Sequence, residues 1–539
     1  MLDIPVLISG GGPVGLSASL LLSQHGVRSL MVERHPSTAI TPKARGINAR
    51  TMEVFRQAGI DAAVRAAGLA EGGTGLIVWT ETLAGNEIER RVPGRATPKN
   101  MAITPVKNCL CAQDDLEPVI RRYAEAAGPG ELRFNTELTS FTQTDRGITG
   151  VLTDRGSGEE TPFRARYLIA AEGAQSRVRR AVGANMIGQE KVYDSVNILF
   201  QAELTQWVKH RPAALYFVEQ EDLRATFLTI NGTDRWGFLI HGPKQYGWRP
   251  EDFTPEFCTD LIREGVGVPD LPVKVLGISP WEASAIVADR YRFGDVFLSG
   301  DAAHEMPPTG GFGLNTGVQD VHNLAWKIAA VLHGRADDTL LDSYHAERQP
   351  LGRLITENAL ANALSMGRTA RQSKVLPRQQ FLNEQGLIFG ANYQSTAVVP
   401  DGTPPVAVGD PVTDYVQSAR PGARAPHVRL MRGGEQISTI DLFGTPFTLL
   451  AGHDGDGWRL ATQAISTSWP KIAAYTIGGS ELSDPDGNFQ EVYGIDPAGA
   501  VLVRPDGYIA WRSRSGSANP QDSLRGAIDN LVGRVAALA

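Results

Sequence analysis

Gly10, Gly12 and Gly15 stand in the pattern G-x-G-x-x-G, within Gly10-Gly11-Gly12-Pro13-Val14-Gly15. Such a turn does one kind of chemistry well, which is to hold a pyrophosphate. The first glycine permits the tight turn, the second lets the backbone approach the ligand, and the third lets a helix pack closely on a strand. Pro13 suits the first helical position, where its missing N–H costs nothing. Glu33, 18 residues beyond Gly15, is placed to accept hydrogen bonds from a ribose, with Arg34 beside it.

A second constellation reads Val296-Phe297-Leu298-Ser299-Gly300-Asp301, followed by Pro307-Pro308-Thr309-Gly310-Gly311-Phe312-Gly313-Leu314-Asn315. Asp301 can hold a polyol hydroxyl. Backbone N–H groups from Gly313 to Asn315 can stabilise negative charge on a reduced ring system. A simple nicotinamide enzyme has no use for a second cradle of this kind, whereas an extended flavin does.

The elements that must position these residues are legible around them. Ile4–Ser9 is a short apolar run of buried-strand type, Leu16–Leu22 carries a helical pattern stopped by Gly26, and Ser29–Glu33 reads as a second strand. Val296–Ser299 reads as a strand with Asp301 at its carboxyl end, and the Gly/Pro turn feeds a helical pattern over Val318–Leu332. Both cradles are thus strand, turn and helix N-terminus.

With these motifs in view, the chain resembles the FAD-dependent aromatic hydroxylases, the single-component flavoprotein monooxygenases of para-hydroxybenzoate hydroxylase type. Among them it is most similar to the aromatic-polyketide and anthracycline hydroxylases of antibiotic pathways. The resemblance implies an α/β fold: a Rossmann-type FAD-binding domain, a β-sheet substrate domain and a thioredoxin-like C-terminal domain. It implies FAD held by Gly10, Gly12, Pro13, Gly15, Glu33, Arg34, Arg45, Gln113, Glu172, Gly173, Asp301, Pro308, Gly311, Gly313, Leu314 and Asn315. Arg45 would contact the phosphate and ribityl region, Gln113 would lie beside the flavin, and Asp301 would bind the ribityl chain. The family reads Asp-Gly where this chain has Glu172-Gly173; Gly173, Ser176 and Arg179 fit, and the longer acid bears on a contact to NADPH. The implied reaction is reduction of FAD by NADPH or NADH, then delivery of oxygen from a flavin C4a-hydroperoxide to an electron-rich ring. The flavin carries the hard step, so no nucleophilic side chain and no metal is required. Baeyer–Villiger insertion, a dehydrogenase or oxidase without oxygen transfer, and an idle FAD-binding subunit are the alternatives.

Composition narrows the class. The chain has 539 residues, 42% hydrophobic and 21% charged, which is globular and large enough for about three to five domains. A net charge of −7 disfavours nucleic acid, and three cysteines (Cys109, Cys111, Cys258) make no disulfide framework. A cytoplasmic monomer or homodimer is expected, since no run approaches the ~20 apolar residues of a membrane span and the first residues lack a basic signal region. Cys109-Leu110-Cys111 lacks metal-ligand spacing. His304 reads as structural, and Trp326 and Lys327 as core packing. Tyr344-His345-Ala346-Glu347-Arg348-Gln349-Pro350 reads as a helix-end salt bridge with a proline stop, and Arg504-Pro505-Asp506-Gly507 as a turn.

The scattered motifs require a discontinuous FAD-binding domain, expected at 1–75, 101–185 and 284–365. Residues 76–100 and 186–283 form the expected substrate domain, with strand-like runs such as Ser195–Phe200 and Arg235–Ile240. Its aromatics make a sheet that roofs a flat substrate, with Tyr216, Phe227 and Trp236 chosen as lining. A linker is expected over 366–410, and a C-terminal domain without redox cysteines over 411–539, with strands at Ser438–Leu442, Phe447–Leu450 and Ala500–Val503.

Overall fold

The structure is a computed structural model and describes residues 1–69, 76–91, 102–366, 378–465 and 471–533. Two eight-stranded sheets, a four-stranded sheet and two two-stranded ribbons organise the described residues. The expected boundaries near residues 75 and 100 lie outside the described residues or at their edge.

The first sheet runs Arg292–Phe293, Val296–Leu298, Glu160–Ala170, Leu2–Ser9, Ser29–Val32, Glu131–Arg133, and off this path Gly147–Asp154 pairs with Glu160–Ala170 and with Thr136–Thr144. Its central pairs are parallel. Val6, Leu7 and Ile8 are fully buried, as expected of a parallel strand covered on both faces. The register is flush: Ser9 lies opposite both Ala170 and Val32, and Ala170 opposite Leu298. The carboxyl ends of these four strands therefore open onto one edge, where open α/β sheets bind ligands. Helix Pro13–Gln24 leaves that edge, and so does helix Gly313–Leu332, which starts five residues before the pattern read from sequence.

The second sheet has the order His304–Glu305, Lys274–Ala288, Met186–Gln201, Arg235–His241, Arg224–Thr229, Leu215–Glu219, Ile77–Thr80, Glu87–Arg91. Helix Pro255–Val266 covers one face. Tyr216, Val218, Phe227, Trp236, Phe238 and Ile240 point into that layer beside Cys258, Leu261, Ile262 and Val266. Helix and sheet pack tightly at Gly265, where a Cβ would lie 3.1 Å from both Phe227 and Phe238 and would push those rings aside.

Near the C-terminus the sheet Ile472–Thr476, Phe447–Ala451, Ala500–Val503, Ile509–Ser513 has one parallel pair and two antiparallel pairs. With helices Asp456–Ile465, Phe489–Tyr493 and Pro520–Leu531 this is the strand order of the thioredoxin fold. The segment expected as a strand at Ser438–Leu442 is instead the last residue of strand Glu435–Ser438 and a 3₁₀ turn, Thr439–Leu442. The Ser438 hydroxyl accepts from Ile440 N and the Asp441 carboxylate accepts from Ser438 N, so the local side chains turn the chain.

Helix Asp342–Ser365 runs straight through Pro350, which corrects the expected proline stop. Glu347 is not at a helix end: it is fully buried against Lys327 and Arg504. Arg504-Pro505-Asp506-Gly507 is a turn, yet Arg504 and Asp506 are both buried within it. His304 is structural, its Nε2 2.8 Å from Asp320 Oδ2 with both side chains buried. Cys109, Cys111 and Cys258 are buried and unbridged.

Candidate active site

A cleft of about 1440 Å³ lies between the carboxyl edge of the first sheet and the uncovered face of the second. That exceeds the roughly 300–1,000 Å³ of a single small-molecule site, leaving space for a dinucleotide and a second ligand.

The floor is built by strand ends. Leu2–Ser9 delivers Gly11, Gly12 and Pro13 to the cleft wall, Ser29–Val32 delivers Glu33 and Arg34, Glu160–Ala170 delivers Ala171, Glu172 and Gly173, and Val296–Leu298 delivers Ser299 and Asp301. Gly10 and Gly15 form the turn rather than the wall. Gly10 has φ +108°, and a Cβ on Gly15 would lie 1.9 Å from the Gly10 carbonyl oxygen. At Gly12 a Cβ would meet nothing nearer than Glu117 Oε1 at 4.0 Å, so the open side of this residue is a berth for a ligand.

Glu33 Oε2 accepts from Gly11 N at 2.7 Å and Oε1 from His35 N at 2.9 Å, which fixes the carboxylate at the cleft wall. Glu172 also lines the cleft, but its oxygens are engaged within the protein. It accepts from Ser9 Oγ at 2.9 Å, Ser176 Oγ at 2.5 Å and Val178 N at 2.9 Å. Its extra methylene thus spans from the first strand to the helix that follows Ser176. Arg179 donates to the Asp301 carbonyl at 3.1 Å and pairs with Glu305 at 3.2 Å. The Asp301 side chain is open to the cleft, and the surrounding protein raises its pKa by desolvation.

Arg45 is the sharpest electrostatic feature. Its Nη1 donates to Thr229 O at 2.7 Å and its Nη2 to Ala214 O, so it ties the floor to the roof strands. Among the described residues no carboxylate pairs with it. Burial lowers its pKa to about 10. A half-buried cation without a carboxylate partner, lining the same cleft as the glycine turn, is suited to an anion.

Gln113 lines the cleft at the start of helix Gln113–Ala127 and donates to Glu117 Oε1 at 2.7 Å. Glu117 was missed from sequence, although its spacing of four from Gln113 puts both on one helix face. It is buried, accepts from Ala39 N at 2.6 Å, and desolvation raises its pKa. Pro308, Gly311, Gly313, Leu314 and Asn315 all line the cleft at the start of helix Gly313–Leu332. Asn315 braces this turn, donating to Gly46 O at 2.8 Å and Gly311 O at 2.7 Å while accepting from Asn48 N at 2.9 Å.

The roof corrects the expectation. Tyr216, Phe227 and Trp236 do not line the cleft; they are buried against helix Pro255–Val266. Successive side chains of a strand point to opposite faces, so their neighbours Leu215, Phe217, Thr226, Leu228 and Leu239 face the cleft instead. The segment expected as a linker also takes part: Phe381, Leu382, Gln385, Ile388 and Phe389 close the cleft from the side. Nothing in their spacing marked them, because a five-residue helix shows too little periodicity to read.

The donor set fits FAD. A helix N-terminus with an open Gly12, the fixed carboxylate of Glu33, an unpaired Arg45, the accessible Asp301 and a second helix N-terminus lie along one cleft.

Comparison with known proteins agrees. Residues 3–359 match the FAD binding domain family, and residues 418–535 the family described as aromatic-ring hydroxylase, C-terminal. The chain is 38% identical to the tetracenomycin A2 monooxygenase-dioxygenase of Streptomyces glaucescens, over 99% of this chain and 97% of that one. Two solved structures superpose on 99% of this chain and 100% of their own, each 35% identical. They are the flavin-dependent monooxygenase PieE in complex with FAD and substrate, with a TM-score of 0.91, and a ternary complex of aklavinone-11 hydroxylase with FAD and aklavinone, with a TM-score of 0.87. Floor, roof and C-terminal sheet together make this chain a member of the FAD-dependent aromatic-ring hydroxylases, with FAD as its cofactor.

Proposed function

We propose that the protein inserts one oxygen atom of O₂ into a polycyclic aromatic of polyketide type, with NADPH or NADH as reductant. The observation that carries this reading is the contrast between the two walls of the cleft. The floor offers Arg45, Glu33, Asp301 and two helix N-termini. The roof offers Ile77, Leu215, Phe217, Leu228 and Leu239. A flat apolar ligand lying under such a roof leaves water and fixes its ring edge-on to the floor. The relatives that act on tetracenomycin A2 and aklavinone support the choice of a fused-ring substrate.

Bound FAD supplies the redox chemistry, taking electrons from the reduced nicotinamide and activating O₂. The chain itself does three things. Arg45 and the amides after Gly12 would hold the pyrophosphate, and Glu33 and Asp301 would accept from hydroxyls of the cofactor. The amides opening helix Gly313–Leu332 would favour negative charge on a ring bound against them. The apolar roof, with Phe381 and Phe389 at its side, excludes water from the reacting edge.

The test is incubation of the FAD-loaded protein with NADPH, ¹⁸O₂ and a panel of hydroxylated anthraquinones and naphthacenequinones. Labelled oxygen on an intact ring system supports the proposal. A product that forms without label refutes oxygen transfer, and a labelled lactone replaces hydroxylation with ring insertion.

A further inference from the structure

Among the described residues, three that are not glycine have a positive φ: Asn135, Lys191 and Leu382. Leu382 is the one of them that lines the cleft. Its φ is +62°, a backbone that glycine adopts freely and that crowds the side chain of a leucine. Strain of this kind persists only where the surroundings fix it, and it collects at ligand sites.

The surroundings of Leu382 do fix it. Its amide donates to Glu384 Oε1 at 2.8 Å, and the same oxygen accepts from Asn362 Nδ2 at 3.2 Å. Glu384 and Asn362 are both fully buried. Asn362 Nδ2 also donates to Thr309 O at 3.2 Å, and Thr309 stands in the turn that precedes helix Gly313–Leu332. Arg378 Nε donates to Asn362 Oδ1 at 2.6 Å. A chain of buried hydrogen bonds thus ties Leu382 to the second cradle of the cleft.

The Leu382 side chain is half-buried and packs against the cluster Ile77, Trp79 and Phe217, at one end of the roof. The cleft-facing residues Leu239, Leu228, Phe217 and Ile77 come from four successive strands of the second sheet. Those strands span roughly 14 Å, the scale of a fused polycycle. A long flat ligand laid across them meets Leu382 beneath the strand that carries Ile77.

We propose that Leu382 is the end stop that sets how many fused rings the cleft accepts, and that Glu384 is the residue that positions it. The inference rests on the polycyclic-substrate reading above and adds the determinant of substrate length. Glycine at this turn would relieve the backbone but leave the end of the roof open, whereas leucine gives a ring edge a branched apolar face to leave water against. Shortening Leu382 opens space for a further ring and removes a contact that a shorter ring system makes.

The experiment measures, by titration calorimetry on the FAD-loaded protein, the dissociation constants of juglone, alizarin and dihydroxynaphthacenequinone, a series of increasing ring number. Leu382→Ala and Leu382→Gly should shift the ratio of affinities toward the longest quinone by about tenfold relative to wild type. Leu382→Phe should shift it the other way, and Leu382→Met should keep the wild-type order. Glu384→Ala should move the ratio as Leu382→Ala does, while Glu384→Gln, which retains an acceptor for the Leu382 amide, should not. Flavin content checks the fold of each variant. Leu382→Gly should also melt no lower than Leu382→Ala, because glycine alone escapes the strain; a lower melting temperature would overturn the strained backbone on which the stop rests. The same order and ratio of affinities in every Leu382 variant would overturn the stop while leaving the hydroxylase reading intact. A wild type that binds none of the three quinones and incorporates no label from ¹⁸O₂ would overturn the underlying reading and the stop with it.

Discussion

Arg504 grips Glu347 with both arms of its guanidinium: Nη1 lies 2.6 Å from Oε1 and Nη2 2.8 Å from Oε2, with neither side chain exposed. Glu347 also receives Lys327 Nζ at 2.8 Å and Asn323 Nδ2 at 2.6 Å, and Arg504 pairs again with Asp506. The two positions are 157 residues apart, one on helix Asp342–Ser365 and one in the turn after strand Ala500–Val503. This cluster pins the thioredoxin-like unit, which carries no cysteine, onto the FAD-binding part.

Removing either partner unbalances the buried cluster, which then holds one charge more of one sign than of the other. Glu347→Gln or Arg504→Met should each lower stability by about 3–5 kcal/mol, and the double variant should lose less than the sum. Urea unfolding of the three proteins checks this, and additive losses would show that the pair is not coupled.

The glycines of the first turn should separate by role. Gly15→Ala drives a Cβ to 1.9 Å from the Gly10 carbonyl and should prevent accumulation of folded protein. Gly12→Ala has room in the fold and should give folded protein that binds FAD at least about tenfold more weakly, ~1.4 kcal/mol. Asp301→Ala should likewise fold and lose flavin, since a hydroxyl loses a charged acceptor worth ~1.5–3 kcal/mol. Flavin absorbance after gel filtration, with circular dichroism for the fold, reads all three.

Glu117 predicts a pH effect. Desolvation raises its carboxyl above the ordinary carboxylate range, the hydrogen bonds from Ala39 N and Gln113 offset this only in part, and the nearby charges of Glu33, which raises it, and Lys43, which lowers it, come after them. A carboxyl whose pKa is higher when folded binds more protons in the native state, so its contribution to stability grows as pH falls and is lost as pH rises through the folded value. The charged form also faces the berth at Gly12. Apo Glu117→Gln should therefore be more stable than wild type in alkaline buffer, and should bind FAD more tightly there. The two proteins should converge in acid. Parallel stability and FAD-affinity curves across pH would rule this out.

The two faces of the roof give a further contrast. Phe227→Ala empties a core site and should cost about 3–5 kcal/mol. Leu228→Ala, one residue on and facing the cleft, should change stability little and raise KM for the aromatic substrate. A thermal melt together with steady-state kinetics separates the two, and a reversed pattern would reassign the faces.

What could be read from the chain alone was whatever depends on neighbours in sequence. Gly10, Gly12 and Gly15 are dictated by a turn completed within six residues, Glu33 and Asp301 by strands that end beside them, and the existence of the helix after the second glycine-rich turn by its apolar pattern, though not its first five residues. A ligand's phosphates and hydroxyls impose residue types at fixed spacing there, so chemistry leaves a local trace. Tertiary structure alone decided the parity of the roof. Strand Leu215–Glu219 carries large apolar side chains on both faces, and in Arg224–Thr229 and Arg235–His241 the less apolar face (Arg224, Thr226, Leu228; Arg235, Gly237, Leu239, His241) does not by itself say whether it meets solvent or a ligand cleft. Only the docking of helix Pro255–Val266 turns Tyr216, Phe227 and Trp236 inward and leaves Phe217, Thr226 and Leu228 to the cleft. The same holds for Glu347 and Arg504. Each looks like a solvated charge in its own segment, and burial becomes tolerable only when the distant partner arrives.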